Sequence, residues 1–214
     1  MNIKKIAAAA AVITTLVTAV GCGDNNDSSS SQESEVSTSM SKPSLDTNIK
    51  EGEGPRLYFS NTEAAPGEIA EVSMYVENAD AKWSMCGIHV TFGEELECQM
   101  IDPVEHLIKY KKGEASEYAS GSVGMLWVNE LPEELTSNGL GSLFFTEVFE
   151  SDYGLDGEIV KFFFKVPDDA VSGTVYPIGI YYMENNDLFI NSANDISFQN
   201  YAFSHWEGGS VTVK

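Results

Sequence analysis

Between Glu158 and Val166 the side chains alternate, with Val160, Phe162, Phe164 and Val166 on one side of an extended chain and Lys161 and Lys165 on the other. A period of two fits a β-strand lying on a core, whereas a helix would repeat its apolar positions every three or four residues. The same period recurs upstream. After a turn at Pro66-Gly67, the stretch Ile69–Val76 puts Val72, Met74 and Val76 on one face and Glu71, Ser73 and Tyr75 on the other. Cys86–Phe92 turns Cys86, Ile88, Val90 and Phe92 inward and Gly87, His89 and Thr91 outward. Val123–Val128 is a short apolar strand, Thr174–Tyr182 follows a turn at Ser172-Gly173, and Val211 and Val213 close the chain in a last strand. Helical periodicity is confined to a turn or two within Glu130–Asn138. Many short strands without a β-α-β rhythm predict an all-β protein, an antiparallel sandwich or jelly roll.

The N-terminal region reads differently. Lys4 and Lys5 precede an apolar run from Ile6 to Val20, which ends at Gly21-Cys22. A positive start, a short apolar run and small residues before a cut make a secretory signal, and the run is short for a membrane span. Ala19-Val20-Gly21-Cys22 resembles the bacterial lipobox, which implies lipid on Cys22 and an extracellular protein anchored to the bacterial cell membrane. Residues 23–56 are Ser, Asp, Glu, Asn and Gly with few large apolar side chains, a composition that reads as a flexible tether. The expected organisation is therefore a signal peptide over 1–22, a tether over 23–56 and a folded domain over 57–214.

Charge narrows the function. The whole chain carries a formal charge of −21, and residues 57–214 hold 26 acidic against 7 basic side chains. Such a surface repels phosphate backbones and argues against nucleic acid. Adjacent acids such as Glu94-Glu95, Glu133-Glu134 and Asp168-Asp169 belong to solvated turns in so acidic a chain. The sequence has no HExxH, no GxSxG and no phosphate-cradling glycine loop, so no enzyme and no cofactor are expected. Cys86 and Cys98 are twelve residues apart; on one extended strand that is about 40 Å, beyond disulfide reach, so both read as buried free thiols.

Several blocks carry a family resemblance. Pro66-Gly67-Glu68 through Val76-Glu77-Asn78, Cys86-Gly87-Ile88-His89-Val90-Thr91-Phe92 on to Leu96-Glu97, Gly157-Glu158-Ile159 through Phe164-Lys165-Val166 with Ala170, Gly173 and Tyr176, and Gly208–Val213 resemble, in order, the strands of cohesin domains. The resemblance implies a jelly-roll sandwich without a catalytic site. One face would capture a dockerin, a small calcium-loaded module of plant-cell-wall enzymes or scaffoldins, with the calcium on the dockerin. Phe92-Gly93 stands where the family has Tyr-Asp, and Met85 and Gly87 replace polar contact residues. The contact set so implied is Met85, Gly87, His89, Leu126, Val128, Glu130 and Ile190, more apolar than the common pattern.

Each of these has a plainer reading. Leu126 and Val128 point outward in one parity of their strand; in the other they are core and Met125 and Trp127 point outward. His89 reads first as a solvated strand histidine, and Ile190 reads equally as a loop anchor. Trp83, Tyr181 and Trp206 are candidates for a sugar platform in the alternative reading, a carbohydrate-binding sandwich that takes polysaccharide, although Trp83 and Trp206 read first as packing. A third reading is a structural lipoprotein with no such partner.

Overall fold

The computed structural model describes residues 41–214, so the signal, Cys22 and the first part of the tether lie outside the described residues. The strands follow one another as the chain crosses between two sheets. Arg56–Phe59 (β1) and Asn61–Ala64 (β2) are separated by Ser60, and Ile69–Glu77 (β3) returns after the Pro66-Gly67 turn, where Gly67 adopts φ 79°. Met85–Gly93 (β4) is followed by four short pieces: Glu97–Cys98 (β5), Met100–Asp102 (β6), Leu107–Ile108 (β7) and Tyr110–Lys112 (β8). Next come Gly121–Trp127 (β9), the helix Glu133–Ser137 (α1), Leu140–Val148 (β10) and Gly157–Lys165 (β11). Val175–Ile180 (β12), Leu188–Ile190 (β13), the helix Ile196–Ser204 (α2) and Gly209–Val213 (β14) complete the fold.

The first sheet has the order β1-β3-β11-β5, with β8 also on β11; the second has the order β2-β14-β12-β4-β10-β9-β7-β6, with β13 also on β4. All pairs are antiparallel except β2 with β14. This is the jelly-roll sandwich that the alternation predicts. The inward sides of β3, β4 and β11 are as read from the sequence: Val72, Met74, Val76, Ile88, Val90, Phe162, Phe164 and Val166 are all fully buried. Rings join the sheets, Phe92 to Phe164 with centroids 5.0 Å apart and Phe145 to Phe162 at 5.8 Å. Fully burying one such side chain stabilises the fold by about 1.5–3 kcal/mol.

Three elements depart from the sequence reading. Cys86 and Cys98 lie on strands of different sheets, not on one strand, because the chain turns at Gly93-Leu96 and crosses over. Both are nevertheless free and buried, and burial pushes the Cys98 thiol up to about 12 and raises that of Cys86 well above its ordinary value. The tether also ends earlier than residue 56. Leu45 and Ile49 pack against the core, Thr47 Oγ1 donates to the Ser197 carbonyl at 3.0 Å, and the Gly52 N–H donates to Tyr201 Oη at 2.7 Å. A β-carbon on Gly54 would sit 2.4 Å from the Tyr201 ring, so this strap fits α2 closely.

The third departure is α2 itself, absent from the sequence reading. Asp195 caps it by accepting from the Ser197 N–H at 2.9 Å. Phe198, Tyr201 and Ala202 share its buried side at helical spacing.

Candidate functional site

The registers of the second sheet decide which side chains look outward. With Cys86, Ile88, Val90 and Phe92 inward, β4 presents Met85, Gly87, His89, Thr91 and Gly93 on its outer side. β10 opposes them in order with Val148, Thr146, Phe144, Ser142 and Leu140. β9 adds Gly121, Val123, Met125 and Trp127, and β13 adds Leu188 and Ile190. No Asp, Glu, Lys or Arg occupies an outward position on these four neighbouring strands, in a domain with 26 acidic side chains.

One end of this face is closed. There α1 packs on β10, burying Leu135 and Leu140, and Thr91 and Ser142 are covered as well. The other end is open and apolar: Val123 is 45%, Met125 43% and Val148 38% exposed, beside the half-buried Met85, Trp127, Phe144 and Ile190. The hairpin formed by β6 and β7 prolongs the sheet past β9, where Leu107 pairs with Met125, and carries the exposed Ile101 and Val104. Apolar surface gathered this way is more than scattered exposure explains.

His89 is the polar element at the centre. Its Nδ1 lies 2.6 Å from Asp187 Oδ1, and its own backbone N–H donates to the same oxygen at 3.2 Å. Asp187 Oδ2 accepts the Met183 N–H at 2.7 Å, so a fully buried carboxylate is satisfied by three donors. The imidazole is flanked by Trp127 and Phe144, each with its ring centroid 4.8 Å away. Gly87 allows this arrangement, since a β-carbon there would meet Phe144 Cζ at 3.1 Å. His89, Trp127, Phe144, Met183 and Asn186 line a shallow hollow of ≈ 380 Å³.

The sequence-derived contact residues fall into three groups. Met85, Gly87, His89 and Ile190 come together on the face, with Ile190 paired directly to Met85. Leu126 does not: it pairs with Leu143 on the inner side and packs against the core, so the other parity holds and Met125 and Trp127 point outward. The physical reason is Gly124, pressed against Ile108; a β-carbon there would lie 2.6 Å from it, which fixes the even-numbered positions of β9 inward. Val128 lies beyond the end of β9, 41% exposed, and Glu130 is in the following loop with φ 53°. His89 is 9% exposed and held by Asp187, so it is not a solvated strand histidine.

Phe144, Thr146 and Val148 are not legible as site residues in the sequence, because β10 carries no clean two-residue alternation. Its outward Phe144, Thr146 and Val148 do alternate, but the inward Glu147 interrupts the apolar side. Glu147 is 1% exposed and accepts from Ser116 and, at 2.6 Å, from Ser122; burial raises its pKa. Of the sugar-platform candidates, Trp83 is fully buried and stacks on Phe189 at 5.2 Å, and Trp206 is 6% exposed. Neither offers a ring to a polysaccharide.

Comparison of the whole fold with solved structures places it. A type III cohesin module from the cell-surface anchoring scaffoldin ScaE of Ruminococcus flavefaciens superposes with a TM-score of 0.64 at 21% identity, over 81% of this chain and 97% of that module. The fold is that of a cohesin. The sixth cohesin of Acetivibrio cellulolyticus scaffoldin B, crystallised with the Cel5 dockerin, gives a TM-score of 0.52 at 15% identity, over 75% of this chain and 99% of its own. The OlpA cohesin of Clostridium thermocellum, in complex with the dockerin Doc918, gives 0.50 at 14% identity over 75% and 99%. No protein-family model and no curated protein matches the chain, so the cohesin likeness lives in the fold and in the order of its strands.

Proposed function

We propose that the chain is a non-catalytic receptor that captures the dockerin module of another protein on the outer face of its second sheet. The observation that carries this is the uncharged, apolar patch formed by Met85, Val123, Met125, Phe144, Val148 and Ile190 on an otherwise strongly acidic domain. An exposed apolar core with a polar surround suits burial against a partner better than solvation. The cohesin fold supports the choice of partner, since cohesins of this fold have been crystallised holding dockerins.

In this reading the calcium belongs to the dockerin, and the bound protein is a plant-cell-wall enzyme or a further scaffoldin. Lipid on Cys22 holds the receptor at the outside of the bacterial membrane, with the residues up to the strap as its tether. Among the described residues no helix is long and apolar enough to cross a membrane.

The test is calorimetric titration of the full chain with a broad panel of calcium-loaded dockerins, each hit repeated with chelator. Tight binding to at least one dockerin, abolished by chelation, is the expected result. Binding to insoluble polysaccharide instead, with silence across the panel, would replace this reading by the carbohydrate-binding one.

A further inference from the structure

The hollow around His89 carries a more specific statement about the partner, resting on the reading that this face takes a protein. A carboxylate has no proton to give, so in the 2.6 Å contact with Asp187 the hydrogen must sit on His89 Nδ1. In the neutral ring Nε2 is then an acceptor. Among the described residues Nε2 has no hydrogen-bond partner, it is not fully buried, and His89 lines the hollow. The other lining residues are Trp127 and Phe144, whose rings flank the imidazole, with Met183 and Asn186.

We propose that this hollow is a socket for an aromatic side chain bearing a donor, a tyrosine of the partner, whose hydroxyl donates to His89 Nε2 while its ring packs on Trp127 and Phe144. Asp187 is the positioning residue: it touches no partner atom but fixes which ring nitrogen is the acceptor. Tryptophan, tyrosine and arginine are the side chains that most often anchor interfaces in pockets of this kind. An arginine fits poorly, because no carboxylate is among the lining residues and Asp187, beneath His89, is fully buried and already satisfied by three donors. A purely aliphatic anchor would bury Nε2 without a partner, at the cost of an unsatisfied acceptor. The hollow of ≈ 380 Å³ has room for a ring of tyrosine size.

The test needs no dockerin. The purified full chain, labelled with ¹⁵N at histidine, is titrated by NMR with 4-methylphenol, with its O-methyl ether 4-methylanisole, and with ethylguanidinium. The socket predicts three things: the Nδ1–H tautomer for free His89, saturable perturbation of His89 Nε2 and the Trp127 indole by 4-methylphenol, and about tenfold weaker binding of the ether, the worth of one hydrogen bond. Asp187→Asn should erase that preference while a fold check by the methyl spectrum stays unchanged. If this variant does not fold, the wild-type tautomer and the phenol-to-ether ratio still decide. Equal binding of phenol and ether, no response to any probe, tighter binding of ethylguanidinium, or a proton on Nε2 would each overturn the socket. Because no dockerin is used, such a result leaves the receptor reading standing. A socket that responds as predicted beside a silent dockerin panel would instead count against the receptor reading alone.

Discussion

The two sheets share one core but treat their outer faces in opposite ways. On the first sheet, Lys161 Nζ meets Glu71 at 2.9 Å, Arg56 pairs with Glu77 at 2.9 Å and also with Glu207, and Ser73 donates to Glu158 at 2.6 Å. Rings lie flat over this surface, Tyr58 on Tyr75 with centroids 5.0 Å apart and Lys109 above Phe163 at 4.9 Å. That face supplies partners for its own polar groups and is complete in water. On the described strands β4, β9, β10 and β13 the second sheet offers mainly apolar outward side chains with no Asp, Glu, Lys or Arg among them, and its polar centre, His89 held by Asp187, lines a hollow. Two strands of one sandwich with the same alternation can thus serve solvation or docking, depending only on which residues fill the outer positions.

The largest effect should come from the core that both faces depend on. Phe162→Ala should lower the unfolding free energy by about 3–5 kcal/mol, measured by denaturant titration, since it removes a buried ring and leaves a cavity. Charging the open face comes next. Met125→Asp should weaken dockerin binding by about 2–4 kcal/mol, a factor of roughly 30 to 1,000, with little change in stability. The matching change on the first sheet, Lys161→Ala, removes an exposed ion pair and should alter stability by less than about 1 kcal/mol and binding not at all. A binding loss from Lys161→Ala as large as that from Met125→Asp would abolish the distinction between the faces.

A subtler probe reaches beneath the apolar face. Burial raises the pKa of Glu147, so the native state holds its proton more tightly than the unfolded chain does. The stability this contributes is present below the ordinary carboxylate range and is lost as pH rises through the folded value. Glu147→Gln should therefore be more stable than the wild type at pH 7.5, and the advantage should vanish towards pH 4, read as the urea midpoint at each pH. An advantage that grows on acidification would contradict the assignment.

Much of this was legible in the chain. The alternation in β3, β4 and β11 gave the sandwich, because burial on one side leaves a two-residue imprint. The face is only half legible. The strand pattern places Met85, Gly87, His89 and Ile190 on it, while the parity of β9 stays open in the sequence: large apolar residues fall on both sides of Val123–Val128, and the contact of Gly124 with Ile108 settles it. β10 was lost because Glu147 sits on its buried side, satisfied by serines distant in sequence. Asp187 was invisible for the same reason, since it acts on a histidine 98 positions away. Long-range polar pairs leave no local pattern.

The most direct test of the account is a side-chain footprint of the complex. The full chain would be exposed to hydroxyl radicals with and without a saturating calcium-loaded dockerin that binds it, and the oxidation of individual residues compared. The account predicts protection of Met85, Met125, Trp127 and Phe144, with Tyr58, Tyr75 and Phe163 unchanged. Protection of Tyr58, Tyr75 and Phe163 with Met85 and Met125 still oxidised would put the partner on the other sheet and contradict it.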